Sequence, residues 1–259
     1  MARRASLPKR MLQVATYVVD NPGDVAFSTA AEVAQALKVQ PSTLVRFAQS
    51  FRYSGFSDLQ AVFRDYVRGR WPDYRERLQG LHRETPSPAP LLAGFAQASI
   101  RSIERLTTGL AADRIEQAID ILSQADTIYL IASRRAFPVA AYLHYALGRL
   151  GLRRVLIDNA AGMGAETLAF AGPRDVAIAI SFTPYTVTTV EFAAQAQKND
   201  VPVLAITDSA FSPLVPLATL WLEVVEADHA SFRSLAATMT LAMTLAAGTA
   251  DRRASRSSD

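Results

Sequence analysis

Residues 29–56, TAAEVAQALKVQPSTLVRFAQSFRYSGF, constrain the fold more than any other stretch. Apolar or small residues at Ala30, Val33, Ala34 and Leu37 fall at helical spacing. The break Lys38-Val39-Gln40-Pro41 follows, then a second helix with Leu44, Val45, Ala48 and Phe51 expected to face inward. Pro41 suits a first helical turn, where the missing N–H has no intrahelical partner anyway. Two short helices joined by a tight turn make a helix-turn-helix, whose second helix enters the major groove with its N-terminal residues at base edges.

The residues at that end are Gln40, Pro41, Ser42 and Thr43, followed by Arg46 and Gln49. Glutamine can pair with adenine, arginine with guanine, and serine or threonine with either. The hydroxyls can equally take phosphate. The competing reading is an ordinary helical hairpin capped by Ser42. Charge separates the two. Residues 1–83 carry thirteen Lys/Arg against seven Asp/Glu, while 84–259 carry fourteen against seventeen. A basic first third is the electrostatic footprint of a protein that binds double-stranded DNA.

The chain's length suits two domains. Residues 7–20 place Leu7, Met11, Val14, Val18 and Val19 on one helical face, and Asn21-Pro22-Gly23 stops that helix. Residues 57–69 resume the spacing with Leu59, Val62, Phe63 and Tyr66. An all-α domain over 1–70 is expected. A polar, proline-rich linker follows over 71–90, within which Tyr74 to Leu81 has helical character. Helices are then predicted at 90–109 and 113–124.

From 127 the pattern changes to short apolar runs at 127–132, 154–157, 175–180, 202–206 and 219–224. These alternate with predicted helices at 137–150, 161–170 and 186–198, a short turn near Leu214, and a closing helix at 230–247. That alternation predicts a doubly wound α/β domain over 91–250 with a mostly parallel five-stranded sheet. A disordered tail is expected at 251–259. The absence of cysteine excludes disulfides and thiolate chemistry and fits a reducing, cytoplasmic setting. The N-terminus lacks the apolar core of a signal peptide, and no apolar run is long enough to span a membrane.

In such sheets ligands sit outside the carboxyl ends of the strands. The loop after the first strand is Ser133-Arg134-Arg135, that after the third is Ser181 to Thr186, and that after the fourth is Thr207-Asp208-Ser209. Ser181, Thr183 and Thr186 precede a helix, and hydroxyls with free N–H groups there suit an anion such as a phosphate monoester. Arg134 adds a cation at the same edge. The alternative is a helix cap built from Ser and Thr. His82, His144 and His229 show no metal-ligand spacing. No dinucleotide fingerprint, P-loop or nucleophile elbow appears, so no cofactor is expected.

Four segments carry a family resemblance: VQPSTLVRFAQ at 39–49, SGFSDLQ at 54–60, AISFTPYT at 179–186 and AITDSAFSPL at 205–214. With them, residues 5–248 resemble an RpiR-family transcriptional regulator, a helix-turn-helix domain joined to a SIS (sugar isomerase) domain. The resemblance implies a non-enzymatic regulator that binds operator DNA and senses a phosphorylated sugar or related anionic metabolite. It implies that Ser133, Ser181, Thr183 and Thr186 hold the phosphate. Arg134 and Tyr185 complete the candidate ligand site, Tyr185 and Phe182 favouring a flatter or more apolar guest.

The departures are specific. Where the family commonly has Gly-x-Gly-x-Ser, this chain has Ala132 to Ala136; where it has Ser-x-Ser-Gly-x-Thr, Thr183 and Pro184 replace the second Ser and the Gly. Lys38 and Arg52 stand where glycines are frequent. A homodimer or homotetramer is expected, because one helix-turn-helix covers a half-site and AAYLHYALGRL and SLAATMTLAMTLAA carry few charges. The competing function is a sugar-phosphate isomerase, for which Glu166, Glu191, Asp208 and His229 are the available groups; a purely architectural DNA protein would leave the α/β half idle.

Overall fold

The computed structural model describes residues 8–22, 25, 28–70 and 87–258. They fall into two compact units, Met1–Pro88 and Ala89–Asp259.

The first unit is helical: α1 (Lys9–Asp20), α2 (Ala30–Ala36), α3 (Pro41–Ser50) and α4 (Phe56–Arg70). Thr29 starts α2 by a reciprocal capping box. Its hydroxyl accepts the Glu32 N–H while the Glu32 carboxylate accepts the Thr29 N–H, and the two donors hold that carboxyl below its ordinary range. Val14, Val18, Val33, Leu37, Leu44, Phe47, Phe56 and Leu59 form the buried interior. The Gln60 carboxamide donates to the carbonyls of Val25 and Ser28, fixing the approach to α2.

Both helices of the turn end in a left-handed residue that is not glycine. Lys38 has φ +52° and Arg52 φ +70°. The next N–H in each case reaches back to the last turn, Val39 to Ala34 at 2.9 Å and Tyr53 to Ala48 at 3.1 Å. These are the bonds of a Schellman C-cap.

One inward assignment is corrected. Val45 is 37 % exposed, and Phe47 takes its place in the interior at 4 %. Leu44, Phe47, Ala48 and the half-buried Phe51 are spaced i, i+3, i+4 and i+7, one face of a helix, and Val45 lies a step outside it. The Phe47 and Phe51 rings meet at 5.0 Å.

The second unit runs α5 (Pro88–Gly109), α6 (Ala112–Gln124), β1 (Ile128–Ala132), α7 (Phe137–Arg149), β2 (Arg154–Ile157), α8 (Gly164–Leu168), β3 (Val176–Ile180), α9 (Val187–Lys198), β4 (Val203–Thr207) and β5 (Leu220–Glu223). A two-stranded hairpin, β6 (Asp228–His229) and β7 (Phe232–Arg233), precedes α10 (Ala236–Ser258). The main sheet has the order β2-β1-β3-β4-β5 and every pairing is parallel.

The two sheet faces are built differently. Leu130, Ile178, Ile180, Leu204, Ile206 and Leu222 share one core with residues of α6, α7 and α10. The other face offers Ala177, Ala179 and Ala205 to Phe192, Ala193 and Ala196 of α9. Alternation of side chains along each strand produces the split.

Three expectations are revised. The closing helix starts at Ala236, not 230, because 228–233 turns back as the hairpin. The tail is not disordered: α10 continues to Ser258. Arg252 pairs with Glu116 and Asp120, and Arg253 donates to the carbonyls of Leu122, Ser123 and Ala125 at the end of α6. Composition suggested a solvated tail; opposite charge and open carbonyls on α6 hold it instead. Third, residues 88–90 belong to α5, while Leu7, the Tyr74–Leu81 segment and the linker over 71–86 lie outside the described residues.

Candidate functional site

In the helical unit, Gln40 caps α3 with an extended backbone, φ −75° and ψ 143°, and its side chain makes no cap bond. Gln40, Pro41, Ser42, Arg46 and Gln49 are all exposed. Ser42, Val45, Arg46 and Gln49 are spaced i, i+3, i+4 and i+7, so they line one open face. Thr43 is corrected: it is 8 % exposed and sits with Leu44 on the buried side, away from that face. Val45 is the member that sequence reading missed, since its apolar character assigned it to the core.

In the α/β unit, the chain leaves β1 for β2 on one side and returns to β3 on the other. The switch point between β1 and β3 is where open α/β sheets bind ligands. Ala132 pairs in register with Ile180, so Ser133 and Ser181 are the first residues beyond the two strand ends. Ser133 is half-buried, and its hydroxyl has no hydrogen-bond partner among the described residues. Ser181 is buried, and its Oγ accepts the Thr186 N–H at 3.0 Å. Thr186 caps α9 without using its side chain. The first N–H groups of that helix, at Val187 and Thr188, have no intrahelical acceptor.

Thr183 and Tyr185 are committed elsewhere. The Asp208 carboxylate, just past β4, accepts the Thr183 N–H at 3.0 Å, the Thr183 hydroxyl at 3.3 Å and the Tyr185 hydroxyl at 3.0 Å. Burial, followed by the charge of Asp208, pushes the Tyr185 phenol far above its ordinary value, so it stays a protonated donor. Arg233 on β7 donates to the Thr183 carbonyl and faces Asp208 at 4.0 Å, both side chains being mostly buried.

Arg134 is exposed, with φ +53°. The neighbouring Arg135 turns inward instead. Its guanidinium lies 5.1 Å from the centre of the buried Phe182 ring, and Nη1 donates to the Ser234 carbonyl at 2.9 Å. Burial, and after it the positive charge of Arg233, lowers the Arg135 pKa from its ordinary value; Glu226 and Asp208 act in the opposite sense. Glu226 receives the Thr238 N–H and hydroxyl on Oε1, capping α10, while its buried Oε2 has no partner.

The loops therefore bring together Ser133, Ser181, Thr186 and the start of α9. They spend Thr183 and Tyr185 on Asp208 and set Arg134 in solvent. Sequence reasoning missed Arg135, Arg233 and Ser234, and took Asp208 only as a spare carboxylate. Two adjacent arginines offered no basis for choosing between them, and Arg233 and Ser234 lay in what read as a helix. Segment 226–234 also packs on α5: the Ala227 N–H donates to Ser102 Oγ at 2.8 Å, and the His229 ring meets Phe95 edge-on at 5.4 Å. A side chain on Gly94 would start 2.3 Å from that histidine. Among the described residues no cluster of three His, Cys, Asp or Glu could hold a metal ion, and no helix is long and apolar enough to cross a membrane.

Comparison with known proteins gives two family matches. Residues 2–68 match the helix-turn-helix domain of the rpiR family, and residues 121–248 match the SIS domain. An uncharacterized HTH-type transcriptional regulator of Bacillus subtilis, YbbH, is 24 % identical over 91 % of this chain and 82 % of its own length. A bifunctional protein glk of Burkholderia thailandensis is 27 % identical over 97 % of this chain, which spans only 39 % of that protein. Among solved structures, Vibrio vulnificus NanR complexed with ManNAc-6P shares the fold at a TM-score of 0.61 and 22 % identity, over 98 % of this chain and 92 % of that one. The sugar isomerase domain of an RpiR transcription factor from Sphaerobacter thermophilus matches at 0.59 and 26 % identity, over 64 % and 93 %.

Proposed function

The chain belongs to the RpiR family, and from that we propose that it is a DNA-binding transcriptional regulator whose SIS unit senses a phosphorylated sugar or related anionic metabolite. The observation that carries the sensing half is the switch point between β1 and β3. Unsatisfied hydroxyls of Ser133 and Thr186 meet the open N-terminus of α9 there. Helix N-termini favour anions through their free N–H groups and dipole. The NanR structure, named for its complex with ManNAc-6P, supports a sugar phosphate as the class of guest.

The isomerase reading is the weaker one. Asp208, a carboxylate at this edge, spends its oxygens on Thr183 and Tyr185, and Glu166 and Glu191 are exposed. A general base must be free to reach the proton it removes. Exposed Tyr145, Leu150 and Met243 on and beside α7 and α10 support assembly of the regulator as a homodimer or homotetramer through these helices. The protein would act in the cytoplasm, where its operator lies.

Reading of the operator falls to Gln40, Ser42, Arg46 and Gln49. Duplexes selected by the protein from a random pool supply the operator. Arg46→Ala is expected to weaken binding to it by roughly 1–3 kcal/mol while changing binding to random duplex less. An electrophoretic titration at fixed salt measures both. Equal loss on the two duplexes would assign Arg46 to phosphate, and no loss would move the recognition face elsewhere. Repeating the titration with sugar phosphates tests the sensor: one of them should shift operator affinity by roughly 5–150-fold.

A further inference from the structure

Arg135 combines features found together at no other arginine of the described residues. It lies in the loop that leaves β1, one residue beyond the bend at Arg134, at the switch point of the sheet. Its guanidinium is stacked over Phe182, the residue after Ser181. A guanidinium has five N–H donors. Arg135 directs one nitrogen, Nη1, to Ser234, and among the described residues no carboxylate lies within ion-pair distance of it. Arg233, by contrast, is tied to the Thr183 carbonyl and to Asp208. Arg252 is tied to Glu116 and Asp120.

Taking charge out of water without a close partner is unfavourable, and a like-charged neighbour adds to the penalty. A bound anion would relieve both. The planar fork also suits a phosphate or carboxylate, which it can hold through two parallel N–H bonds. The ring of Phe182 fixes the plane of the fork, so its open edge is oriented before a ligand arrives.

We propose that Arg135, and not Arg134, supplies the cation that holds the anionic group of the effector, beside the hydroxyls of Ser133, Ser181 and Thr186. The inference rests on the sensor reading above and deepens it. A side-chain fork takes over from the backbone N–H groups that glycine-containing loops would present. The lost glycines of the first loop and Pro184 in the second are then compensated rather than fatal to phosphate binding. The guest is a phosphate monoester or a compact carboxylate, with a neutral portion free to reach the hydroxyls.

The test uses the full chain and two probes, inorganic phosphate and ManNAc-6P, with sodium chloride matched for ionic strength. Thermal unfolding is followed for the parent protein and for Arg134→Gln, Arg135→Gln and Arg135→Lys. Phosphate should raise the melting temperature of the parent and of Arg134→Gln alike, beyond the chloride control. Arg135→Gln should weaken apparent phosphate affinity by tenfold or more, as expected for loss of a charged hydrogen-bonded pair. Arg135→Lys keeps the charge without the fork and should fall between the two. If Arg135→Gln proves too unstable to measure, the ratio between Arg135→Lys and the parent decides.

Full retention of the phosphate response in both Arg135 variants overturns the assignment, as does loss confined to Arg134→Gln. A parent protein stabilised by neither probe also overturns it. These failures differ from failure of the sensor itself, which would show as operator binding that no sugar phosphate alters.

Discussion

Asp208→Ala should lower the stability of the α/β unit by about 2–3 kcal/mol, with loss of the fixed loop 181–186. The carboxylate accepts from the Thr183 N–H, the Thr183 hydroxyl and the Tyr185 hydroxyl, and it faces Arg233. Truncation strands all of these at once. Removing one partner of a fully buried pair costs about 3–5 kcal/mol, and each stranded donor about 1–3. The Arg233–Asp208 distance of 4.0 Å and residual exposures of 19 % and 14 % reduce the ionic share. Urea unfolding of the full chain, followed by a probe in the second unit, gives the midpoint; an unchanged slope shows that the loss is one of stability. Tyr185→Phe removes a single donor and should cost about 1 kcal/mol. If Asp208→Ala matches the parent in urea, the carboxylate does not hold the loop.

Leu204→Ala should be at least as damaging, at about 2–5 kcal/mol. Leu204 is fully buried on the central part of the sheet, flanked in register by Ile178 on β3 and Leu220 on β5. Three rigid neighbours leave little room for collapse into the space a leucine vacates, which places the cost high in that range. The adjacent Ala205 points to the other face, against the alanines and Phe192 of α9. There the damaging change is the reverse one: Ala205→Leu overfills a close helix–sheet contact and should cost about 1–3 kcal/mol. Melting curves for the pair would show both losses if the two faces are packed as described, and a neutral Leu204→Ala would contradict the core assignment.

The sequence spoke clearly where periodicity and burial agree. The five runs of apolar residues are buried on both faces, which is why β1, β3 and β4 could be read as parallel strands with no alternation visible. The helix-turn-helix was legible because its turn, its Pro41 and its inward residues are all local signals. Side-chain commitments across the fold were not legible. The bonds from Thr183 and Tyr185 to Asp208 span twenty-five and twenty-three residues. That from Arg135 to Ser234 spans ninety-nine. No spacing rule reaches so far. The hairpin at 228–233 was hidden by its shortness, since two-residue strands leave no period to read. Val45 shows the limit from the other side: apolar character is no guarantee of burial when helical phase opposes it.

Lys38 and Arg52 bracket the recognition helix, and each holds a backbone shape that costs an L-residue about 1–2 kcal/mol. Glycine would fold there more comfortably and would leave both places uncharged. The DNA-binding unit thus keeps less of a margin against unfolding than its interior would allow, in return for a cation at each end of the helix that meets the duplex. An operator that binds only the folded unit makes up that margin by mass action. The operator is in this sense a folding partner. Copies of the regulator idle between operators open more often than copies seated on one, and proteases that act on the opened form select the idle copies first.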